Sequence, residues 1–552
     1  MRVTKASERK PIRLVPLGGL GEIGCNCLAI EQRDGILVID CGSSFPHDDL
    51  GVDLWHADHS WLVGQGSRVQ GVVLTHGHED HIGGLPYLLS ELKVPVWGPA
   101  HALGVTRRRL ADNGMDAEDF QFTAVEPGRH HAIGSFDVEP VRVSHSIIDA
   151  FALRVDTDAG VVVHTGDFNF DASLPGNAPT DVARLQQIGD SGVALLLSDS
   201  TNAEIPDRQG SERGVGAELE RLVREATGRV FVAVFASNIH RLIVLGQIAE
   251  RTGRSLCCIG RSLELQAQVA TALGRLNWRS GLLIRPEEVR DWPREQLLVI
   301  VGGTQAERNS GLRRLASGDH RWLAVQPGDT VILSSRTIPG NEWAVRNMQC
   351  DLLRVGARVI SRETHPDVHT SGHATRSEQR RMIDLLRPAA FMPIHGTLRH
   401  LLAHAELARG TGLSETIVVE NGTSVRFDGR ALRRAERVAH GKQAVALGGK
   451  PISAQRLQER SELGRYGSAV VTVVVQADGR LAAPPMVSLR GVAALDDDGS
   501  AARVGAAAAH AVTRHRPHSE VRLPEAVRRA VGRQLTELCG KRPWVDVHII
   551  EV

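Results

Sequence analysis

Short apolar runs, each ending in a small polar cluster, recur along most of the chain. Ile12 to Leu17, Cys27 to Ile30 and Gly35 to Ile39 have the length and branching of buried strands. Val72-Val73-Leu74 stops at Thr75 and spills into His76-Gly77-His78-Glu79-Asp80-His81, after which a helix runs from Leu85 to Leu92. Val138 to Val143 ends in Ser144-His145-Ser146, Val161-Val162-Val163 leads into His164-Thr165-Gly166-Asp167, and Ala194 to Leu197 leads into Ser198-Asp199-Ser200-Thr201-Asn202. A ligand or acid–base residue type thus appears each time a strand runs out. Loops at strand ends on one sheet edge are where α/β folds place their chemistry.

From about Ser211 the pattern becomes alternating helix and strand. Gly216 to Glu225 is an amphipathic helix, and Val230 to Phe235, Leu256 to Ile259, Leu297 to Val301 and Thr330 to Ser334 are strands. Polar turns follow them: Ala236-Ser237-Asn238-Ile239, Gly260-Arg261-Ser262, Gly302-Gly303-Thr304-Gln305 and Ile338-Pro339-Gly340-Asn341-Glu342. Free N–H groups at helix starts there suit phosphate, with Ser237 the best candidate, although helix capping explains that serine equally well. Val368-His369-Thr370-Ser371-Gly372-His373-Ala374 then precedes a helix through Arg387 and the strand Phe391 to Ile394, which ends in His395-Gly396. His400 and His404 share a helix face, but no glutamate completes the zincin pattern, so this reads as a solvated helix. Beyond Gly441 the composition loosens into a linker. Ser468 to Gln476 and Met486 to Arg490 form a hairpin, Ala501 to His515 and Glu525 to Cys539 are helices, and Val545 to Val552 is a last strand. This small α+β domain carries no ligand cluster, and assembly or a lid over a substrate channel is its most economical role.

With 552 residues the chain is long enough for about three or four domains, and 42% hydrophobic content is ample for their cores. A net charge of +1 neither requires nor excludes a polyanionic partner, since a local basic channel fits within a neutral total. Seven scattered cysteines show no disulfide-framework or zinc-knuckle spacing, and Cys257-Cys258 sits in an apolar run as core. Met1 to Lys10 reads as a mobile polar start. Neither an apolar leader nor a membrane-length apolar run is present, so the expected setting is a reducing cytoplasm.

The residue types narrow the chemistry. Imidazole and carboxylate at this spacing suit borderline divalent ions, zinc or manganese above all. His76 and His78 alternate in an extended loop and turn to one side, while Asp80 and His81 face a second position, so the site is expected to be dinuclear. His145 and Asp167 supply missing ligands, and His373 and His395 join the same site. His164 alternates away and is structural. Asp40, at a strand end, is either a partner that orients a ligand histidine or a simple turn aspartate. The run Gly18-Gly19-Leu20-Gly21-Glu22-Ile23-Gly24 lacks a following Gly-Lys-Ser/Thr and reads as a tight hairpin bordering the site.

His76-Gly77-His78-Glu79-Asp80-His81, followed by His145, Asp167 and His395, resembles the metallo-β-lactamase superfamily. The α/β insertion, Asp199, Ser371-Gly372-His373-Ala374 and Pro393-Ile394-His395-Gly396 narrow the resemblance to its β-CASP nucleases, and within them to the bacterial ribonuclease J family. The resemblance implies an α/β fold: an αββα sandwich (1–208 and 368–448), an inserted β-CASP domain (209–367), a linker (449–462) and a C-terminal α+β domain (463–552). It implies two Zn2+ per subunit, with Mn2+ or Mg2+ as alternatives for activity. His76, His78 and His145 would hold one ion and Asp80, His81 and His395 the other, bridged by Asp167. A hydroxide held between the ions would attack the phosphodiester. Asp80, His373 and Asp199 would be catalytic, His373 stabilising the phosphorane or protonating the leaving 3′ oxygen. Ser237, Asn238, Ile239, His369, Thr370, Ser371, Gly372, His373 and Ala374 would bind RNA phosphates. The implied activity is a 5′→3′ exonuclease preferring 5′-monophosphate RNA, with endonuclease activity, in RNA maturation and decay. The implied partners are single-stranded RNA, a second or further copies in a homodimer or homotetramer, and an RNA-degradation complex, with no membrane. His395 at the last ligand position argues for RNA over DNA. The insertion, which supplies a wall long enough for a polymer, argues against a small-ester hydrolase. An RNA-binding scaffold with a degenerate site is disfavoured because every implied ligand is present. Two departures stand out: Gly303-Thr304-Gln305-Ala306-Glu307 replaces the usual Gly-Ser-Gln-Gly-Glu-Pro, and His440-Gly441 stands where Asp-Gly is common.

Overall fold

The computed structural model describes residues 10–46, 50–176, 178–208, 210–338, 340–446, 448–492, 498–516 and 520–552. The expected mobile start, except Lys10, and Pro339 of the Ile338–Glu342 turn lie outside the described residues. The chain divides into two compact units, one of Met1–His47 with Asp53–Gln443, the other of Asp48–Val52 with Ala444–Val552.

Two sheets stack face to face in the first unit. One has eight strands in the order Leu432–Arg437, Thr423–Phe427, Ile12–Gly18, Cys27–Gln32, Gly35–Ile39, Val69–Val73, Val96–Gly98, Phe122–Ala124. The other has six, in the order His131–Ile133, Phe136–Val143, Ala150–Thr157, Gly160–His164, Leu195–Asp199, Ala390–Ile394. Period-two alternation explains the layering. Leu28, Ile30, Leu37 and Ile39 meet Leu153, Val155, Leu195 and Leu197 between the sheets. Their neighbours turn outward: Ala29 and Val38 pack on Leu85, Leu88 and Leu89 of the helix Leu85–Glu91, and Leu196 packs near Met382 and Ile383 of Arg376–Leu386. This is helix, sheet, sheet, helix, as expected.

Leu195–Asp199 and Ala390–Ile394 are adjacent and parallel, with Asp199 opposite Ile394. Between them the chain makes a whole further α/β layer. Its sheet, Leu283–Ile284, Ser255–Ile259, Leu297–Val301, Val230–Ala233, Thr330–Leu333, Arg358–Ile360, is entirely parallel and apolar on both faces. Cys257 and Cys258 point to opposite faces of it and are buried, as the apolar run predicts. The departure at Ala306 has a local cost, because the residue adopts a left-handed φ of 57° that favours glycine.

The second unit contains the expected hairpin, Ser468–Val475 with Met486–Arg490, and Trp544–Glu551 pairs with the first strand in parallel. Asp498–Arg514 and Leu523–Cys539 cover one face. The stretch 449–462 is not the irregular linker expected. It contains the strand Lys450–Ile452 and most of the helix Ala454–Tyr466, which Ser453 caps by accepting the Arg456 N–H. That helix has no buried residue, so it carries none of the apolar periodicity by which a helix is recognised.

Candidate metal centre

The two stacked sheets run out along one edge, and there the ligand types converge. Val69–Val73 delivers the loop from Thr75 to His81, and Gly160–His164 delivers Asp167. Leu195–Asp199 ends on Asp199, and Ala390–Ile394 delivers His395. Gly166 precedes Asp167 with φ 55°, and a Cβ there would lie 2.7 Å from the Phe151 carbonyl oxygen. Two non-glycine residues at the site, Asp40 and His395, also adopt left-handed φ values, 60° and 51°. Such conformations persist only where surrounding contacts enforce them, and they cluster at functional sites.

Three overlapping sets of ligand atoms result, each within 4.8 Å: His76, His78, His145 with Asp167; Asp80, His81, His395 with Asp167; and Asp199, His373, His395 with Asp167, of which the first two are the expected ion sites. Nδ1 of His78 lies 3.0 Å from Nε2 of His76 and 3.1 Å from Nε2 of His145. Nitrogens around one tetrahedral zinc stand about 3.3 Å apart, so this convergence suits a cation. Oδ2 of Asp167 is buried and accepts no hydrogen bond. It nonetheless sits 3.3, 3.5 and 3.7 Å from ring nitrogens of His81, His145 and His76. An anionic oxygen buried without a donor is costly, and a cation between it and the imidazoles removes the cost. The donor set therefore fits two divalent ions sharing Asp167.

The two sets differ electrostatically. Burial holds His76 and His145 well below the ordinary histidine range and pushes His78 down to about 4, so their lone pairs are available. Burial also opposes charge on His81 and His395, but nearby carboxylates, Asp167 first, outweigh it and raise both, His395 to about 10. Burial likewise opposes charge on Asp80 and Asp167, yet His81 and His395 hold both carboxyls below the usual range. An ion entering this second set must displace protons.

Hydrogen bonds fix the ring orientations. Nδ1 of His81 donates to Oδ2 of Asp40 at 2.7 Å, and Thr75 secures that carboxylate through its N–H (2.7 Å) and hydroxyl (2.8 Å). Asp40 is thus an orienting partner rather than a simple turn aspartate. Nδ1 of His145 donates to the Gly372 carbonyl at 2.8 Å, leaving Nε2 toward the ligands. Nδ1 of His373 donates to Oδ2 of Asp199 at 2.9 Å, and Thr201 holds Asp199 through its N–H and hydroxyl. Asp199 and Asp167 overcome the effect of burial and raise His373 above its ordinary value. His164 is buried and accepts the Gly166 N–H, a structural role as expected.

The turn from His369 to His373 is held from below. Asn169 donates to the Gly372 carbonyl (2.7 Å), Asn202 to the Ser371 hydroxyl (2.9 Å), and Arg208 to the Ser371 carbonyl (2.9 Å) while pairing with Glu378. Sequence reasoning did not single out Asn169, Arg208 or Glu378. Their one signal is position, since Asn169 lies two residues beyond a ligand and Arg208 precedes the insertion.

Other expected substrate contacts are sorted by burial. Ser237 is half-buried, and Asn238 caps Ile239–Thr252 by accepting the Arg241 N–H. Ile239 differs from them in its surroundings. Its side chain is core, and its N–H already donates to the Ser237 carbonyl at 2.8 Å. Ala374 is likewise fully buried packing. His369 and Thr370 are buried, and Nδ1 of His369 has no hydrogen-bond partner. The glycine run connects the antiparallel strands Ile12–Gly18 and Cys27–Gln32, with Gly18 opposite Cys27, as the expected hairpin; within it Leu20–Gly21 pairs in parallel with Gly396–Thr397, which stitches it to the loop of His395. The helix carrying His400 and His404 is not simply solvated. His404 is fully buried against Phe391, with Nδ1 3.0 Å from the Ser200 hydroxyl.

Comparison with known proteins agrees with this geometry. Residues 20–202 match the family model of the metallo-β-lactamase superfamily, and 227–352 match that of the ribonuclease J β-CASP domain. Residues 363–419 match the Zn-dependent metallo-hydrolase RNA specificity domain, and 455–552 the ribonuclease J C-terminal domain. Ribonuclease J of Mycobacterium tuberculosis is 37% identical over 98% of this chain and 97% of its own length. That of Thermus thermophilus is 38% identical over 85% of this chain and 83% of its own. A crystal structure of an Enterococcus faecalis protein of unknown function shares the fold, with a TM-score of 0.54 and 17% identity over 76% of this chain and 100% of that one. Among the described residues no helix is long and apolar enough to cross a membrane. On the near-complete span of its relatives and on the ligands its two sheets bring together, the chain belongs to the ribonuclease J family.

Proposed function

We propose that this chain is a dinuclear zinc ribonuclease that degrades single-stranded RNA from the 5′ end and also cuts internally. The observation that carries this reading is Oδ2 of Asp167, buried, without a donor, and shared by two ligand sets. Two divalent ions held there supply Lewis-acid activation of water and neutralise charge developing on the phosphate oxygens. The protein's share is positional. Asp40 and Thr75 lock His81, and the Gly372 carbonyl locks His145, so the ligands are preorganised before substrate arrives. His373, oriented by Asp199 through Nδ1 and raised by it above its ordinary value, delivers its proton to the leaving 3′ oxygen as the P–O3′ bond breaks and the new P–O bond forms. Asp80 serves as a ligand whose carboxylate stays ionised throughout.

The turn His369–His373 with Ser237 and Asn238 is assigned to RNA phosphates, including a 5′-monophosphate. The same reading keeps the domain limits 1–208 with 368–448, 209–367 and 463–552, cytoplasmic location, and assembly as a homodimer or homotetramer. The test uses one single-stranded RNA bearing a 5′-monophosphate, triphosphate or hydroxyl, with and without chelator. Chelator-sensitive release of mononucleotides, fastest from the monophosphate, is expected. Cleavage of DNA but not RNA by the metal-loaded protein overturns the assignment.

A further inference from the structure

One further cluster of metal-ligand types among the described residues shares no side chain with the centre at Asp167. It consists of Cys27, Cys41 and His59, whose two sulfurs and one ring nitrogen lie within 4.8 Å of one another. All three are buried, at 2%, 0% and 3% exposed. The strands explain how the thiols meet. Leu28 stands opposite Ile39, so Cys27 and Cys41 lie near each other at one end of the antiparallel pair Cys27–Gln32 and Gly35–Ile39. By strict alternation Cys41 would turn inward with Ile39. The left-handed φ of 60° at Asp40 reverses it, and Cys41 joins Cys27 and Ala29 in the outer apolar layer with Leu62, Leu85 and Leu88. His59 sits at the N-cap of Ser60–Gln65, but its side chain does not cap that helix. Instead its Nε2 lies 3.3 Å from the Cys41 sulfur, and the His56 ring stacks on it at 4.9 Å. Burial pushes His59 down to about 3, so the ring is neutral and keeps a lone pair.

A bond from thiol to imidazole needs Cys41 and His59 alone. A second sulfur converging on the same point suits a soft cation, since thiolates select copper(I) and zinc. The number of donors and their burial choose between these ions. Structural zinc takes four protein ligands, and zinc with three keeps a water in the fourth position. Three donors inside an apolar layer suit a three-coordinate monovalent ion instead. The 3.3 Å between sulfur and nitrogen is close to the roughly 3.6 Å that separates two such ligands on one ion. We propose that Cys27, Cys41 and His59 form a third metal site, which holds one copper(I) ion between two sulfurs and a nitrogen. Burial raises Cys41 well above the ordinary thiol range, so the arriving ion displaces its proton to solvent, and no oxidation state changes. The site lies behind the ligand loop. The Cys41 N–H donates to the His81 carbonyl (2.8 Å), and the Cys41 carbonyl accepts the Gly84 N–H (2.9 Å). Asn26, next to Cys27, donates its N–H to the Asp80 carbonyl (2.9 Å). An ion joining the two cysteines therefore braces the backbone that carries Asp80 and His81 and takes no part in cleavage.

The full chain, loaded with zinc, is titrated with copper(I) under argon in competition with bicinchoninate, and copper X-ray absorption reports the neighbours of the bound ion. The expected result is one copper(I) per chain that leaves the zinc in place and has two sulfur neighbours and one nitrogen. The centre at Asp167 has no sulfur, so the sulfur signal separates the two places. Cys27→Ala and His59→Gln, each checked by thermal unfolding, should weaken copper(I) binding at least roughly 100-fold. Cys350→Ala, which removes a thiol outside the cluster, should leave it unchanged. Copper with nitrogen neighbours only, or copper that displaces zinc ion for ion, overturns the site. Undiminished affinity in a folded Cys27→Ala variant overturns it as well. The absorption measurement uses the unaltered chain, so it decides the matter even if both variants unfold, and none of these outcomes depends on RNA cleavage.

Discussion

At the ends of Val69–Val73, Gly160–His164, Leu195–Asp199 and Ala390–Ile394 the chain places imidazoles and carboxylates. At the ends of Val230–Ala233 and Thr330–Leu333 in the inserted sheet it places Ser237, Asn238, Ser334 and Arg336. The architecture is the same in both, apolar strands releasing short loops at one edge, but the charge is opposite. The first edge gathers acceptors, down to a buried carboxylate oxygen with no donor, and so is built for cations. The second presents hydroxyls, an amide and one guanidinium, that of Arg336, which donates to Oδ1 of Asn202 and meets no carboxylate among the described residues. The turn His369–His373 joins them, tied to the first through His145 and Asp199 and to the second through Asn202. A nuclease needs both, one edge to activate water and one to hold a polyanion against it.

The comparison breaks most sharply at Asp167. Asp167→Asn removes the charge both ligand sets share, and cleavage should fall at least roughly 1000-fold while metal content drops at both positions. A variant that still holds two ions per chain would show that the sets are independent. Asp199→Asn should act on kcat alone, by about 100-fold or more, because it touches the proton donor and leaves the anion-binding edge intact. The sign of its pH effect follows from His373. Asp199 raises that histidine, so activity that needs the protonated ring is lost as pH rises through the raised value. Without Asp199 the loss must begin at lower pH, and an alkaline limb that does not move excludes His373 as the acid. The smallest effect is expected at His404, which belongs to neither edge. Burial pushes it down to about 3, whereas in the unfolded chain it titrates near the ordinary 6.5. The unfolded state therefore binds the extra proton, and stability falls as pH drops from about 6.5 toward 3. His404→Gln should make that decline shallower by up to ~1.4 kcal/mol per pH unit in denaturant titrations. An unchanged slope would mean His404 takes up its proton without unfolding.

Much of the metal centre was legible because its grammar is local. His76, His78, Asp80 and His81 sit in one loop, and alternation alone turns them to two positions. His145, Asp167 and His395 are far apart in the chain but share a signature, a ligand type where an apolar run stops. The sequence pattern says least where burial, not residue type, decides a residue's surroundings. Ile239 follows two polar residues and looked like part of their turn, yet as the first residue of a helix packed on the inserted sheet it is core. His404 has the spacing of a solvated face, but the strand Ala390–Ile394 lies under it. The helix Ala454–Tyr466 looked like a linker because it buries nothing.

By itself the sequence determined the strands, the loops that end them and the chemical types those loops carry, because strand length and alternation are short-range properties of the chain. Only the tertiary structure decided which carboxylate is shared, which imidazoles burial lowers and which the neighbouring carboxylates raise, and which side chains hold the His369–His373 turn. Those properties depend on desolvation and on distances of a few ångströms between residues hundreds of positions apart, such as His145 with Gly372 and Asn202 with Ser371.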